Sequence, residues 1–257
     1  MGRWSPPWRE RVRGDPPSPN GASSFHLAWA LDAGAPLVEA SAVLEVLVAP
    51  AVPRLYFWAL QVSFRDDAGE RGGAHLGLQW NAGHRGGTAV NWGGYDGAGR
   101  VLEGSASELP STPHDPNTRD YAWAPGVAYR LRVSPSPGLR GWWQGEVTDL
   151  ASGRTEVVRH LHGGGDRLAS PMVWSEVFAR CDHPSVAVRW SGLEARTASG
   201  ERVRARAVRV NYQARATGGC DNTDVEVDGA GVVQRTNAER RTLPGAVIRL
   251  DAAPGVL

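Results

Sequence analysis

From Phe25 onward apolar side chains recur at every second position, and a chain so patterned folds as strands rather than helices. Phe25, Leu27, Trp29 and Leu31 alternate with His26, Ala28 and Ala30. Ala74, Leu76, Leu78 and Trp80 alternate with His75, Gly77 and Gln79, and Val127, Tyr129, Leu131 and Val133 with Ala128, Arg130 and Arg132. Residues 55–64 (LYFWALQVSF) are apolar almost throughout, which predicts a central strand covered on both faces. Further strands are expected over 142–148, 154–161, 172–178, 185–190 and 202–212, with shorter ones over 224–227, 232–236 and 246–250. Only 37–48 fits a helix as well as a strand. With 32 Gly and 18 Pro supplying turns between these segments, the pattern gives about a dozen short strands.

That many strands cannot lie in one flat sheet with both faces wet. The expected fold is all-β, a two-sheet antiparallel jelly-roll sandwich. Residues 1–22, proline-rich and without periodicity, read as a disordered arm whose Trp4 and Trp8 are its only large apolar groups. Residues 23–215 read as the sandwich and 216–257 as a C-terminal β extension packed on it. One strand has a phase conflict. Arg202, Arg204 and Arg206 would share a face with Val208, Val210 and Tyr212, so a bulge or a change of surroundings is expected near Ala207.

Charge excludes several function classes. The 28 basic residues are all Arg and face 27 acidic ones, for a net charge of +1, so no global field draws nucleic acid or an anionic membrane. With no Lys, Schiff-base and P-loop lysine chemistry are excluded. No apolar run is long enough for a transmembrane helix. The N-terminus lacks the apolar core of a secretory signal, so the location is cytoplasmic by default, and extracellular if the start is misassigned. Cys181 and Cys220 form either one disulfide or two buried thiols; both readings stand.

Three stretches carry a resemblance: ALQVSF followed by GGAHLGLQWN, YRLRV followed by GWWQGEVTDLASGRTEVVRHL, and PMVWSEVFARC. Together, over about 55–195, they resemble an uncharacterised, domain-of-unknown-function group of concanavalin A-like lectin/glucanase β-sandwich domains. The resemblance implies a sandwich fold and an association with carbohydrate, and no established reaction. Glucanases of this architecture carry a Glu-x-Asp-x-x-Glu strand. The nearest run here, Glu146-Val-Thr-Asp149, lacks the second Glu.

Tryptophan is over-represented, 11 against 5 Tyr and 4 Phe, and indole faces suit sugar rings as well as they suit cores. Neighbours on a strand point to opposite sides, so one of Trp142 and Trp143 enters the core. Parity with Gln144 and Glu146 makes Trp142 the accessible one and groups Trp142, Gln144 and Glu146 as a candidate ligand-binding face. Gln79, Asn81 and Asn91, with Trp92 and Tyr95 nearby and Gln61 able to join, form a second candidate row of amide donors and acceptors; buried amides bonded to loop backbone are the plainer reading. Glu176, among apolar neighbours, is either ion-paired to Arg180 or Arg189, or a raised-pKa general acid with Glu146 or Asp149 as its partner. His160 and His162 would share a strand face, and His183 lies near Cys181, but no third metal ligand accompanies them. Asp221, Asn222, Asp224 and Asp228 are weak calcium candidates in a turn-rich segment; otherwise no cofactor is expected. The Arg202, Arg204 and Arg206 row reads as a solvated edge.

These features give three competing functions. The first is a non-catalytic, carbohydrate-binding or glycan-associated sandwich with a polysaccharide partner. The second is a glycoside hydrolase or polysaccharide lyase using Glu146 and Glu176. The third is an interaction module without a small ligand. No catalytic signature is present, and neither a nucleic-acid nor a membrane partner is expected; the oligomeric state is open.

Overall fold

A computed structural model of the chain describes residues 13–110, 115–229 and 231–250. Trp4, Trp8 and the first half of the expected arm lie outside the described residues. In chain order the strands are β1 (Ser23–Ala30), β2 (Leu37–Val48), β3 (Tyr56–Asp66), β4 (Gly69–Trp80), β5 (Thr88–Asp96), β6 (Thr118–Asp120), β7 (Ala128–Pro135) and β8 (Trp142–Asp149). They continue with β9 (Thr155–His162), β10 (Arg167–Val177), β11 (Ala187–Thr197), β12 (Arg202–Arg204), β13 (Ala207–Tyr212), β14 (Thr223–Asp228), β15 (Gly231–Thr236) and β16 (Val247–Arg249). The segment that fitted helix and strand alike, 37–48, is strand β2, where its β-branched and alternating side chains have a buried face to fill.

All pairings are antiparallel. One layer runs β6-β5-β4-β3-β10-β1-β13-β16 and the other β9-β8-β7-β2-β11-β15-β14, with β12 on the far end of β11. Among the described residues one strand pairing, Leu37 with Leu168, joins the layers, and Gln234 of β15 adds side-chain bonds to Ser175 and to the Phe25 carbonyl across them. Inward side chains from both layers make one continuous core, including Trp58, Trp92, Trp143 and Trp190, all essentially buried. The alternation decides which side chains contribute: Tyr56, Trp58, Leu60, Val62 and Phe64 of β3 enter that core, while Phe57, Ala59, Gln61 and Ser63 face the other way.

The arginine phase conflict resolves as a change of layer. β12 pairs with β11, and after Ala205 and Arg206 the chain enters β13, which pairs with β1 in the opposite layer. Val203 points inward before the switch and Val208, Val210 and Tyr212 after it. Arg202 and Arg204 meet Glu194, and Arg206 meets Asp32. Residues past 215 add β14 and β15 to the edge of one layer and β16 to the edge of the other. Cys181 and Cys220 are joined in a disulfide, with Cα atoms 5.5 Å apart.

Candidate functional site

The outer faces of the two layers differ in chemistry. On the β2-β7-β8-β11 layer, charges alternate and neutralise one another. Arg132 bridges Glu39 and Glu146, and Arg189 bridges Glu45 and Asp228. The outer face of the other layer carries amides, imidazoles and aromatic rings instead.

Strand register sets that face out in rows. Gln61 on β3 lies opposite His75 on β4 and Met172 on β10. Ala59 lies opposite Gly77 and Trp174, and Trp174 opposite His26 on β1. Phe57 lies opposite Gln79 and Glu176, and Glu176 opposite Ser24. Ala59 offers only a methyl above the sheet in the middle row and Gly77 no side chain at all, and three rings close over the space. Phe57, Trp174 and His75 meet edge to face, with centroids 4.9, 5.4 and 5.6 Å apart, and His26 flanks Trp174 at 6.1 Å.

Two hydrogen bonds orient the polar groups. The Trp174 indole Nε1–H donates to Gln61 Oε1 at 2.9 Å. The Asn20 side chain donates to the Glu176 carboxyl, while Asn20 Oδ1 accepts from the Ala22 N–H. Burial among rings penalises charge here. It holds the His75 imidazole down at about 4 and lowers His26, so both are neutral near pH 7. It pushes the Glu176 carboxyl above its ordinary range, and the Asn20 bond only partly offsets this. The expected arginine partners are engaged elsewhere, Arg180 with Asp182 and Arg189 with Glu45 and Asp228. Among the described residues no ion pair involves Glu176. A carboxyl of this kind is a stronger base than a solvated one and holds a proton to higher pH.

The residues expected to bind sugar do not form one surface. Trp143 is buried at 2 % exposure, and Trp142 is half-exposed with its ring against His162. Trp142, Gln144 and Glu146 lie on the outer face of one layer, and Gln79 and Asn91 on the outer face of the other, with the whole core between them. Trp92 has no exposed surface and packs where a Gly145 side chain would be. Asn91 is buried and donates to Thr118 Oγ1, and Asn81 donates to Gln79 Oε1. Tyr95 is exposed at the β5 end. Glu146 is held by Arg132, and Asp149 accepts turn N–H groups from Ala151 and Ser152. Neither shares a cleft with Glu176, so the paired-carboxylate hydrolase is overturned as well.

Most of the metal candidates are likewise spoken for. Asp221 faces Arg240, Asp224 Oδ1 accepts from Tyr212 and the Thr242 N–H, and Asn222 donates to the Cys181 carbonyl. His160 bonds Ser136 and the His162 ring lies against Trp142, while the His183 ring has a buried Nδ1 with no hydrogen-bond partner among the described residues and belongs to no metal-holding group there. Among the described residues no group of three or more His, Cys, Asp or Glu side chains is placed to hold a metal. Phe57, His26, His75, Trp174 and Asn20 are the site residues that sequence reasoning passed over. The available signal was parity, since His26 and His75 sit on the non-core side of otherwise apolar strands.

No family model matches the chain, and no curated protein does. Among solved structures, the chain is similar to Scytalido-glutamic peptidase bound to a peptide-based transition-state analog. The identity is 13 %, covering 82 % of this chain and 97 % of that one, with a TM-score of 0.47. It is also similar to SCP-B, a member of the Eqolisin family of peptidases, in complex with the tripeptide Ala-Ile-His. There the identity is 12 %, with the same coverage and a TM-score of 0.43. These structures are peptidases, where the carbohydrate-binding expectation called for lectin-like or glucanase-like ones.

Proposed function

We propose that the chain is a hydrolase of amide bonds, a peptidase, working at the outer face of the β3–β10 layer with Glu176 as its acid–base group. The observation that carries this reading is Glu176 itself, a half-buried carboxyl with a raised pKa and no ion-pair partner among the described residues. The next carboxyl toward the β6 edge of that face, Asp120, sits four strands away beside His84, about 19 Å at ordinary strand spacing. That is far beyond the separation that two-carboxylate glycoside chemistry needs. One carboxyl among amides suits an acyl group instead. Ionised Glu176 takes a proton from water as the water oxygen bonds to the carbonyl carbon. It then returns that proton to the nitrogen as the C–N bond breaks, so the net change is addition of one water.

An extended peptide advances by about 3.3 Å per residue, as the strands do. Gln61 lies four positions along β3 from Phe57, the residue opposite Glu176, or about 13 Å. A substrate with its scissile bond at Glu176 therefore reaches Gln61 about four residues away. Gln61 is on this account a group that binds the substrate backbone. The layered strand order also supports a jelly-roll-like wind for the sandwich.

The test is cleavage of a reduced, alkylated and unfolded protein across pH 3–8, with new termini read by mass spectrometry. Wild type is expected to cut, with kcat/KM rising through a pKa above the usual carboxylate range. Glu176→Gln is expected to lower kcat at least about 100-fold. Absence of new termini from wild type at every pH overturns the reading.

A further inference from the structure

Gln61 can present two opposite faces to a ligand. Its carboxamide has an accepting oxygen and a donating N–H₂, and the two ends have nearly the same shape. Which end faces outward decides whether the spot binds a carbonyl or an N–H. In this structure the choice is made by a neighbouring strand. The Trp174 indole has only a donor to offer, and at 2.9 Å it takes the Gln61 oxygen. The indole cannot turn away, because Trp174 is 5 % exposed and is held by Phe57, His75 and His26. His75, the register partner of Gln61 on β4, packs its ring against Phe57 and Trp174.

We infer that Trp174 is a positioning residue that locks half-buried Gln61 with its amide N–H₂ turned away from the indole and left to donate, making this position select a backbone carbonyl of an extended peptide about four residues from the scissile bond. The inference rests on the peptidase reading for its ligand, while the lock itself does not. A substrate whose carbonyl at that position is reduced to a methylene loses its partner there. A substrate N-methylated at the adjacent nitrogen keeps it.

Two measurements separate the lock from the activity. In ¹H–¹⁵N spectra of the full chain, the Trp174 indole resonance is assigned by its disappearance in Trp174→Phe. Gln61→Leu is then expected to shift that resonance and speed its exchange with solvent at least fivefold. An unmoved resonance with unchanged exchange overturns the inference, whatever the enzyme does. On a peptide that wild type cleaves, Trp174→Phe keeps a ring in the cluster and is expected to raise KM about five- to tenfold, with kcat within twofold, the loss of one oriented hydrogen bond. A fall in kcat at constant KM overturns the assignment of Gln61 to substrate binding. If wild type cleaves nothing, the peptidase reading fails and the indole resonance still decides the lock. Should Trp174→Phe fold poorly, Gln61→Leu supplies the same KM comparison.

Discussion

His75 carries a stability consequence that is separate from any reaction. In the unfolded chain its imidazole titrates near its ordinary value of 6.5, and in the folded chain near 4. Between those values the unfolded state binds the extra proton, so folding stability falls as pH drops from about 6.5 to about 4. The full loss from this one group is on the order of 3 kcal/mol, and His26 pushes the same way. Glu176 acts in the opposite direction. Its folded pKa is raised, so its contribution is fully present below the unfolded pKa and is lost as pH rises through the folded value. Urea unfolding at pH 7, 5.5 and 4 measures the balance. Wild type is expected to lose stability over this descent, and His75→Phe to flatten the slope by about half or more. An identical slope in the variant would show that the imidazole is not buried as its ring contacts indicate.

At the level of strands, the close approach of the layers depends on a missing side chain. Gly145 of β8 points into the core, and a Cβ there would sit 2.7 Å from Cγ of Trp92. Trp92 has no exposed surface into which to retreat. Gly145→Ala is therefore expected to cost about 1–3 kcal/mol through overpacking, read as a lower urea midpoint with an unchanged slope. An unchanged midpoint would mean that the layers part easily at this point. The same pair explains why Trp92 was misplaced on paper. Alternation around Trp92 shows that it faces opposite to Asn91, but it does not show which side is core, because the opposing Gly145 comes from a strand more than fifty residues later. Strand positions and parity were legible because period two is a local property, and for the same reason Trp142 and Trp143 separate as their neighbours indicate. Which strand lies beside which was not. Gln61 and Trp174 stand 113 residues apart in sequence and meet only through the β3–β10 pairing, so the site could not be assembled from either segment alone.

Across the molecule, the C-terminal strands are fastened to the sandwich at one hub. The Cys181–Cys220 disulfide links the loop after β10 to the loop before β14. The Cys220 N–H donates to Ser23 at the start of β1, and its carbonyl accepts from Arg240, while the Cys181 N–H donates to Gly14. Arg240 is itself buried, bonded to Thr223 and stacked over Tyr212 at 3.9 Å, so burial lowers its pKa without freeing it from its partners. β10 ends four residues before Cys181 with Glu176 as its penultimate residue, which places the proposed acid–base group next to the segment the hub fastens. Closing a 39-residue separation restricts the unfolded chain by about 4 kcal/mol in the loop-entropy account. The double variant Cys181→Ser/Cys220→Ser is expected to melt roughly 8–16 °C lower in calorimetry, for a chain of this size. Wild type in excess reductant should follow it once reduced. Because β10, β3 and β1 retain their ladders without the hub, the ring cluster around Trp174 should persist at temperatures below that lowered transition, visible as an unchanged Trp174 indole resonance. Loss of that resonance in the folded double variant would show instead that the disulfide shapes the outer face directly, while an unchanged melting temperature would show that the ladders and the Arg240 cluster alone secure the C-terminal strands.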